Sequence, residues 1–421
     1  MATYFPVLKN ATAAQLEQAA AFNHQELFTR NAMAQGGLVK TSAGLTCTYG
    51  GPDKEAMVGF PVLEAAGAGG QLDAMMDWYR QYPPNGIGCW SLHPPQPADL
   101  GIRLLARGFK RGWRPCWMGL DLQKIQTAHP VPAGLELHAD NTTGIDLTPN
   151  LPYAGEDGAI SPALLQQQPE IAQRFIATLN GQVVGHSCVF LTTGPYGAAG
   201  IYNVGVVPHA REKGIGKAVV IAACQYAKEQ GYHYAVLNAT GRRMYNQVGF
   251  SWIGDGYTWW LHGDLFRKHP PKAQQIALAE AIGRGIIPAN GSFETQDLHT
   301  ILANGMTLMQ LAVQCQQPAA AAWLVERGVG YSALDAWDLG WKDKAAALLA
   351  THPEQANQQY GDWQATLLHL AAERNDLALA KLALAAHPDL TITDKRYNGT
   401  PLGWAQHLQR NEIIQLIMAE Q

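Results

Sequence analysis

The chain has 421 residues, a formal net charge of −4, and 15% charged against 47% hydrophobic residues. It is too long for one hydrophobic core and too apolar to stay unfolded, which predicts two to four folded domains. The slightly acidic balance and the lack of any dense Lys/Arg run argue against broad binding to nucleic acid or anionic membranes.

Cys47, Cys89, Cys116, Cys188, Cys224 and Cys315 stand singly, with no C-x-x-C pair and no His at zinc spacing. They read as reduced core thiols, and no metal site is expected. The opening MATYFPVLKNATAAQ lacks a basic segment followed by an apolar one, and no uninterrupted apolar run is long enough to span a bilayer. A cytoplasmic protein is expected.

In chain order, Ala11 to Arg30 has a helical pattern in which Leu16, Ala19, Ala20, Phe22 and Leu27 share a face. Strands are predicted at Leu38 to Thr41 and Leu45 to Tyr49, a helix at Gln71 to Gln81, a strand at Gly86 to Leu92 and a helix at Ala98 to Arg107. Gly108-Phe109 and a Trp-rich strand ending at Leu122 follow. The two prolines of His129-Pro130-Val131-Pro132 predict an extended linker. Beyond it, Leu135 to Ala139 alternates as a strand, and Pro149 to Gln173 offers a helix, a loop and another helix. Ile176 to Leu179 and Val183 to Thr192 read as a hairpin around Gly181-Gln182, and Gly194 to Gly200 as a turn.

The stretch IYNVGVVPHAREKGIGKAVV, Ile201 to Val220, carries the densest signal. Its β-favouring start ends at Pro208, which cannot donate to a ladder. Arg211-Glu212-Lys213-Gly214-Ile215-Gly216 then opens a helix, so backbone N–H groups at the positive end of the helix dipole can close on a phosphate. A P-loop is excluded because Arg211 and Ala218 stand where it needs Gly and Ser/Thr. A dinucleotide fingerprint is excluded by Val219. After a helix from Lys217 to Gln230 and a strand from Tyr234 to Asn238, a short helix places Tyr245 four residues ahead of Gly249-Phe250.

The R/Q-x-x-G-x-G/A turn after a Val-x-Pro strand, at Arg211, Gly214 and Gly216, resembles the coenzyme A loop of the GNAT N-acetyltransferase family. Tyr245, Gly249 and Phe250 match the family's second motif. The resemblance implies a mixed sheet flanked by helices over residues 132–263. Residues 1–128 echo its second half and read as a degenerate copy, with Leu104 at the motif tyrosine's place and no R/Q-x-x-G-x-G turn before it.

The resemblance also implies direct transfer of acetyl from acetyl-CoA to a primary amine, without a covalent enzyme intermediate. Arg211, Glu212, Lys213, Gly214, Ile215, Gly216 and Lys217 would hold the pyrophosphate, and Val206 and Val207 would offer backbone groups to the pantetheine arm. Tyr245 would protonate the departing thiolate. The base stays open among His186, Glu156 and Asp157. Tyr202 and Asn203 on the central strand, with the acidic pair Glu156-Asp157, are the acceptor-side candidates. Trp252, Tyr257, Trp259 and Trp260 line either an acceptor pocket or a core.

From about residue 270 the chain turns to Ala, Leu, Gln and His at helical spacing. The segments beginning at Thr307, Thr366 and Thr400 resemble the T-P-L-H-x-A helix start of ankyrin repeats, with a weaker unit at Ser332. Ser332, Thr366 and Thr400 are 34 residues apart, whereas Thr307 precedes Ser332 by 25, so one connecting hairpin is short or missing. The expected architecture is therefore α+β, a tandem GNAT-like sheet followed by an all-α ankyrin solenoid over 270–421.

Three functions follow from these resemblances. One is acetylation of a small or peptide-like amine, as in detoxification or self-resistance. Another is acetylation of a protein recruited by the repeats, and the third is non-catalytic sensing of coenzyme A.

Overall fold

The computed structural model describes residues 6–146, 148–155, 157–263, 272–289 and 293–420, without the side chain of Thr295. The chain divides into two compact units, Met1–Pro270 and Pro271–Gln421.

The first unit is built on a 12-stranded sheet. Its strands are β1 Leu38–Ser42, β2 Leu45–Tyr49, β3 Glu55–Gly59, β4 Gly86–Leu92, β5 Lys110–Arg111, β6 Cys116–Asp121, β7 Leu135–Ala139, β8 Ala172–Leu179, β9 Gln182–Leu191, β10 Ala199–Val206, β11 Tyr234–Ala239 and β12 Ser251–His262. The helices are α1 Ala13–Ala34, α2 Ala68–Gln81, α3 Leu100–Ala106, α4 Pro162–Gln167, α5 Ile215–Glu229 and α6 Arg242–Val248. Across the sheet the order is β1-β2-β3-β4-β12-β6-β11-β10-β9-β8-β7, with β5 beside β12.

That order interleaves the two halves of the unit. β6, from the first half, lies antiparallel to β11, with Ala235 opposite Leu120, while β12, from the second, lies antiparallel to β4, with Trp259 opposite Cys89. The cores are exchanged accordingly. Trp259 and Leu261 pack with Leu72, Tyr79, Ile87 and Leu104, whereas Met118 and Leu120 pack with Ile201, Val220, Leu237 and Phe250. Each such buried side chain contributes about 1.5–3 kcal/mol, so the exchange is held by apolar burial on both sides. The sheet runs on across the expected boundary at 128–132.

Helix α1 binds the halves together. Thr12 caps it, its hydroxyl accepting from Gln15 N–H. Buried Asn23 donates from Nδ2 to the Phe190 and Ala198 carbonyls (3.1 and 3.0 Å) and accepts from the Tyr202 hydroxyl at 2.7 Å. The next residue, His24, is enclosed by Phe28, Phe60, Trp90, Trp117 and Tyr202, with ring centroids 4.6–6.0 Å away. Burial pushes the His24 pKa down to about 3, and its Nδ1 has no hydrogen-bond partner among the described residues.

Two expectations for this unit fail. Among the described residues of 149–173 there is one short helix, α4, and β8 begins earlier, at Ala172. Strand β3 is additional: five residues hemmed by Gly-Pro and Phe-Pro segments carry too little periodicity to separate a strand from a loop.

The second unit is helical. After α7 Ala273–Gly283 and α8 Thr295–Leu298 come four helix pairs. They are α9 Leu308–Gln314 with α10 Pro318–Glu326, α11 Ala333–Asp338 with α12 Lys342–Thr351, α13 Leu367–Arg374 with α14 Leu377–Leu384, and α15 Pro401–His407 with α16 Asn411–Ala419. Thr307, Ser332, Thr366 and Thr400 stand at the N-caps of the leading helices. Nδ1 of His369 accepts from Thr366 N–H at 3.1 Å, so its Nε2 carries the proton and donates to the Gly399 carbonyl at 3.0 Å. Among the described residues, no helix is long and apolar enough to cross a membrane, and no cluster of metal-binding side chains occurs.

Candidate active site

The second half of the sheet is open where the first half is closed. β10 runs parallel to β11, but only Ala199↔Ala235 and Gly200↔Val236 are paired before the strands part. The cause lies within β10: a register shift between Tyr202 and Gly205 against β9, with Asn203 at φ +49°, bulges the strand away. The bulge is pinned, since Asn203 accepts from Ile160 N–H at 3.2 Å and donates to the Ile160 carbonyl at 3.0 Å. In the first half, β3 and β4 stay paired over five residues to Gly59↔Trp90, and Phe60 N–H adds a bond to the Trp90 carbonyl.

At the far end of the opening, the chain turns through Pro208–Ala210 into the glycine loop and α5. Glu212 and Gly214 take φ of +63° and +85°. Among the described residues, the backbone N–H groups of Glu212 through Lys217 have no hydrogen-bond acceptor. A row of unpaired donors at a helix start is an anion cradle. The linker closes one side of it, because a Cβ on Gly214 would stand 2.2 Å from the Pro130 carbonyl oxygen. Gly216 has more room, its nearest neighbour being the flexible Met244 side chain at 2.9 Å. Arg211, Glu212 and Lys213 are exposed, Lys217 is half-buried, and Ile215 is anchored in the core.

The backbone groups expected to meet a pantetheine arm need correction. Val207 N–H donates to the Val184 carbonyl at 3.0 Å and its carbonyl accepts from Ala210 N–H, because the chain is already turning. The Val206 carbonyl accepts from Arg211 Nε at 3.2 Å, which draws that guanidinium back onto the strand.

Tyr245 sits on α6 with its ring edge-on to Phe250, centroids 6.0 Å apart. Burial, and then nearby Tyr153, push its phenol up to about 12, so the hydroxyl stays a proton donor at ordinary pH.

The acceptor-side candidates are dispersed. Tyr202 is buried, and its hydroxyl is turned to Asn23. Asn203 is fully engaged by Ile160, and both act as props of the bulge. The Asp157 carboxylate accepts from Tyr153 N–H at 2.9 Å and shapes its own loop, while Glu156 lies outside the described residues. His186 is buried under the bulge and donates from Nε2 to the Pro152 carbonyl at 2.7 Å. Burial, opposed by that bond and reinforced by Arg174, holds its pKa below the usual value. His186 thus has the neutral form a base needs: its Nε2–H is committed to Pro152, and its basic Nδ1 is buried with no hydrogen-bond partner among the described residues.

The family comparison falls on this half of the sheet. Residues 144–250 match the family model described as Acetyltransferase (GNAT) family. These residues carry a GNAT acetyltransferase domain. The match ends at Phe250, so β12, the strand given to the other half, lies beyond it. No curated protein matches the chain. Among solved structures it is similar to a GCN5-related N-acetyltransferase from Kribbella flavida, at 13% identity, 56% of this chain, 95% of that chain and a TM-score of 0.45. It is also similar to a tandem GNAT protein from the clavulanic acid biosynthesis pathway, without AcCoA, at 14% identity, 62% and 98% coverage and a TM-score of 0.40. A GCN5-related N-acetyltransferase from Sphaerobacter thermophilus gives 16%, 53%, 78% and 0.39.

Two features beside the GNAT domain escape a linear reading. The first half has its own glycine turn, Glu64-Ala65-Ala66-Gly67-Ala68-Gly69, leading into α2. Its spacing equals that of the second half's turn, with an acid where Arg211 stands, and a search tolerant of Glu at that position would have found it. Buried Arg103 and Arg107 donate to its Ala65 and Gly69 carbonyls at 3.0 and 3.1 Å. The other is a cleft of about 430 Å³ beside the end of β11, between Trp113, Arg114 and Cys116 and the segment from Asn238 to Arg242. Its walls come from opposite halves, so no local motif announces it.

Proposed function

We propose that the protein transfers an acetyl group from acetyl-CoA to a primary amine, with the GNAT domain as the working half. The reading rests above all on the row of unpaired N–H groups from Glu212 to Lys217 at the mouth of the opening between β10 and β11. That row suits a pyrophosphate, and the parted strand edges suit an extended amide-bearing arm. Gly214 and Gly216 keep the turn free of Cβ atoms, while Lys213 and Lys217 supply positive charge nearby.

In the reaction the amine lone pair attacks the thioester carbonyl, an amide C–N bond forms and the C–S bond breaks. Tyr245 gives its phenolic proton to the leaving sulfur, and the proton shed by the amine passes to solvent. The bulge held by Asn203 and Ile160 keeps the strands apart where the reacting atoms would lie.

For residues 271–421 the reading is an ankyrin-like solenoid, supported by the four capped helix pairs and the His369 bridge from Thr366 to Gly399. Only Arg327–Ser332 separate α10 from α11, in keeping with a shortened hairpin there. Such a surface suits recruitment of a protein partner.

The test is calorimetric titration with acetyl-CoA together with thiol release in the presence of primary amines. Binding with amine-dependent release is expected. A folded chain that neither binds acetyl-CoA nor releases thiol ends the proposal.

A further inference from the structure

The cleft beside β11 says what kind of amine the enzyme takes. Its volume of about 430 Å³ falls in the range of small-molecule sites. One wall is the Trp113 indole, half exposed, stacked on Trp260 at 5.4 Å and met edge-on by Trp90 at 5.2 Å, so it is a flat and rigid apolar surface. The polar groups facing it are dominated by Arg114 and Arg242, whose side chains are 57% and 54% exposed.

These guanidiniums are short of acceptors. Both lie near Asp255, at 3.7 and 3.9 Å, which is beyond hydrogen-bonding distance. Asp255 already accepts from Trp252 Nε1 at 3.1 Å. Arg242 gives Nε to the Cys116 sulfur at 3.1 Å, and Arg114 rests over the Tyr257 ring at 5.3 Å with no hydrogen bond among the described residues. Glu17, which also lies near Asp255, has its carboxyl pushed up by burial first and by Asp255 second, so it offsets the guanidiniums less than a free carboxylate would. Two forked cations around one shared carboxylate leave positive charge and unused donors, which a planar or tetrahedral oxyanion satisfies best.

The cleft is also within reach of the chemistry. Asn238 and Ala239 pair with β6 on the cleft side, while the opposite edge of β11 is free of β10 beyond Val236. The end of β11 therefore separates the cleft from the opening by the width of one strand. Arg242 and Tyr245 are three residues apart on α6, about 4.5 Å along the axis.

The geometry points to an acceptor that is an oxyanion-bearing primary amine, such as an amino acid, a peptide with a free C-terminus or a phosphorylated amino alcohol, anchored by Arg114 and Arg242 with its apolar part on Trp113. This rests on the transferase reading above. A polyamine is disfavoured, because its second ammonium would enter between two guanidiniums.

The experiment measures thiol release from acetyl-CoA with matched pairs: amino acids and dipeptides against their C-terminal amides, and phosphoethanolamine against ethanolamine. The oxyanion member of a pair is expected to have a kcat/KM about tenfold higher or more. In Arg114→Gln and Arg242→Gln, that ratio falls toward one, chiefly through KM of the oxyanion member. A split confined to the acid/amide pairs assigns a carboxylate, and one confined to phosphoethanolamine assigns a phosphate. Equal rates within every pair, or a preference for spermidine, overturns the inference while leaving the transferase intact. Failure to bind acetyl-CoA in calorimetry removes the transferase reading itself, and this inference with it.

Discussion

A Cβ on Gly200 would stand 2.0 Å from Oδ1 of Asn23 and 2.4 Å from the Tyr202 ring. Gly200 is also the last residue of β10 to pair with β11, so the buried Asn23 network and the start of the opening occupy the same point. Gly200→Ala is expected to cost roughly 1–3 kcal/mol, by overpacking and by displacing a satisfied buried amide. A denaturant midpoint equal to that of the unmodified chain would contradict this packing.

Acetyl-CoA is expected to bind once per chain. The first half's strands are zipped through Gly59↔Trp90, and its glycine turn carries Glu64, whose charge repels phosphate. Gly216→Val should weaken binding by closing the approach to the N–H row, at little cost to the fold, since Met244 can move aside. Calorimetry giving two equal sites, or unchanged affinity in a folded Gly216→Val protein, would refute it.

Tyr245→Phe should lower kcat about 10²-fold with little change in acetyl-CoA affinity, because the proton is needed only in the transition state. With its pKa near 12, Tyr245 should impose no falling limb on the alkaline side of the kcat profile up to about pH 10. A purely structural tyrosine would leave kcat unchanged and lower the melting temperature instead.

His24 should make the fold acid-sensitive at unusually mild pH. In the folded chain it titrates near 3, and in the unfolded chain near 6.5. Its contribution is thus complete above about pH 6.5, and falls by about 1.4 kcal/mol per pH unit below it until the folded value is reached. His24→Phe should flatten stability between pH 6.5 and 4. An identical pH dependence in the variant would show that other groups control it.

The strand exchange predicts mutual dependence of the halves. Expressed alone, residues 1–128 lack β12 and residues 132–263 lack β6, so each would expose unpaired edges and the apolar faces around Trp259 or Leu120. Each fragment is expected to aggregate, and the two co-expressed to form one soluble complex on gel filtration. Two well-folded independent fragments would disprove the exchange.

Much of the local structure was legible from residues alone. Pro208 ends the central strand, Gly214 and Gly216 mark the turn into α5, and Tyr245 to Phe250 mark the helix after β11, because these signals are carried by neighbours in the chain. The helix starts at Thr307, Ser332, Thr366 and Thr400 were readable for the same reason: an N-cap and its N3 partner are three residues apart. What linear reading missed depends on pairing between distant segments. The Tyr202 hydroxyl is drawn to Asn23, 179 residues away, rather than to an acceptor. Val207 already has both backbone groups engaged. Arg114 and Arg242, 128 positions apart in the sequence, meet at one cleft only because β6 and β12 changed places. Composition and spacing determine which strands and turns this chain can form. Which strand lies beside which was decided by burial of apolar faces, a choice that no short window of sequence contains.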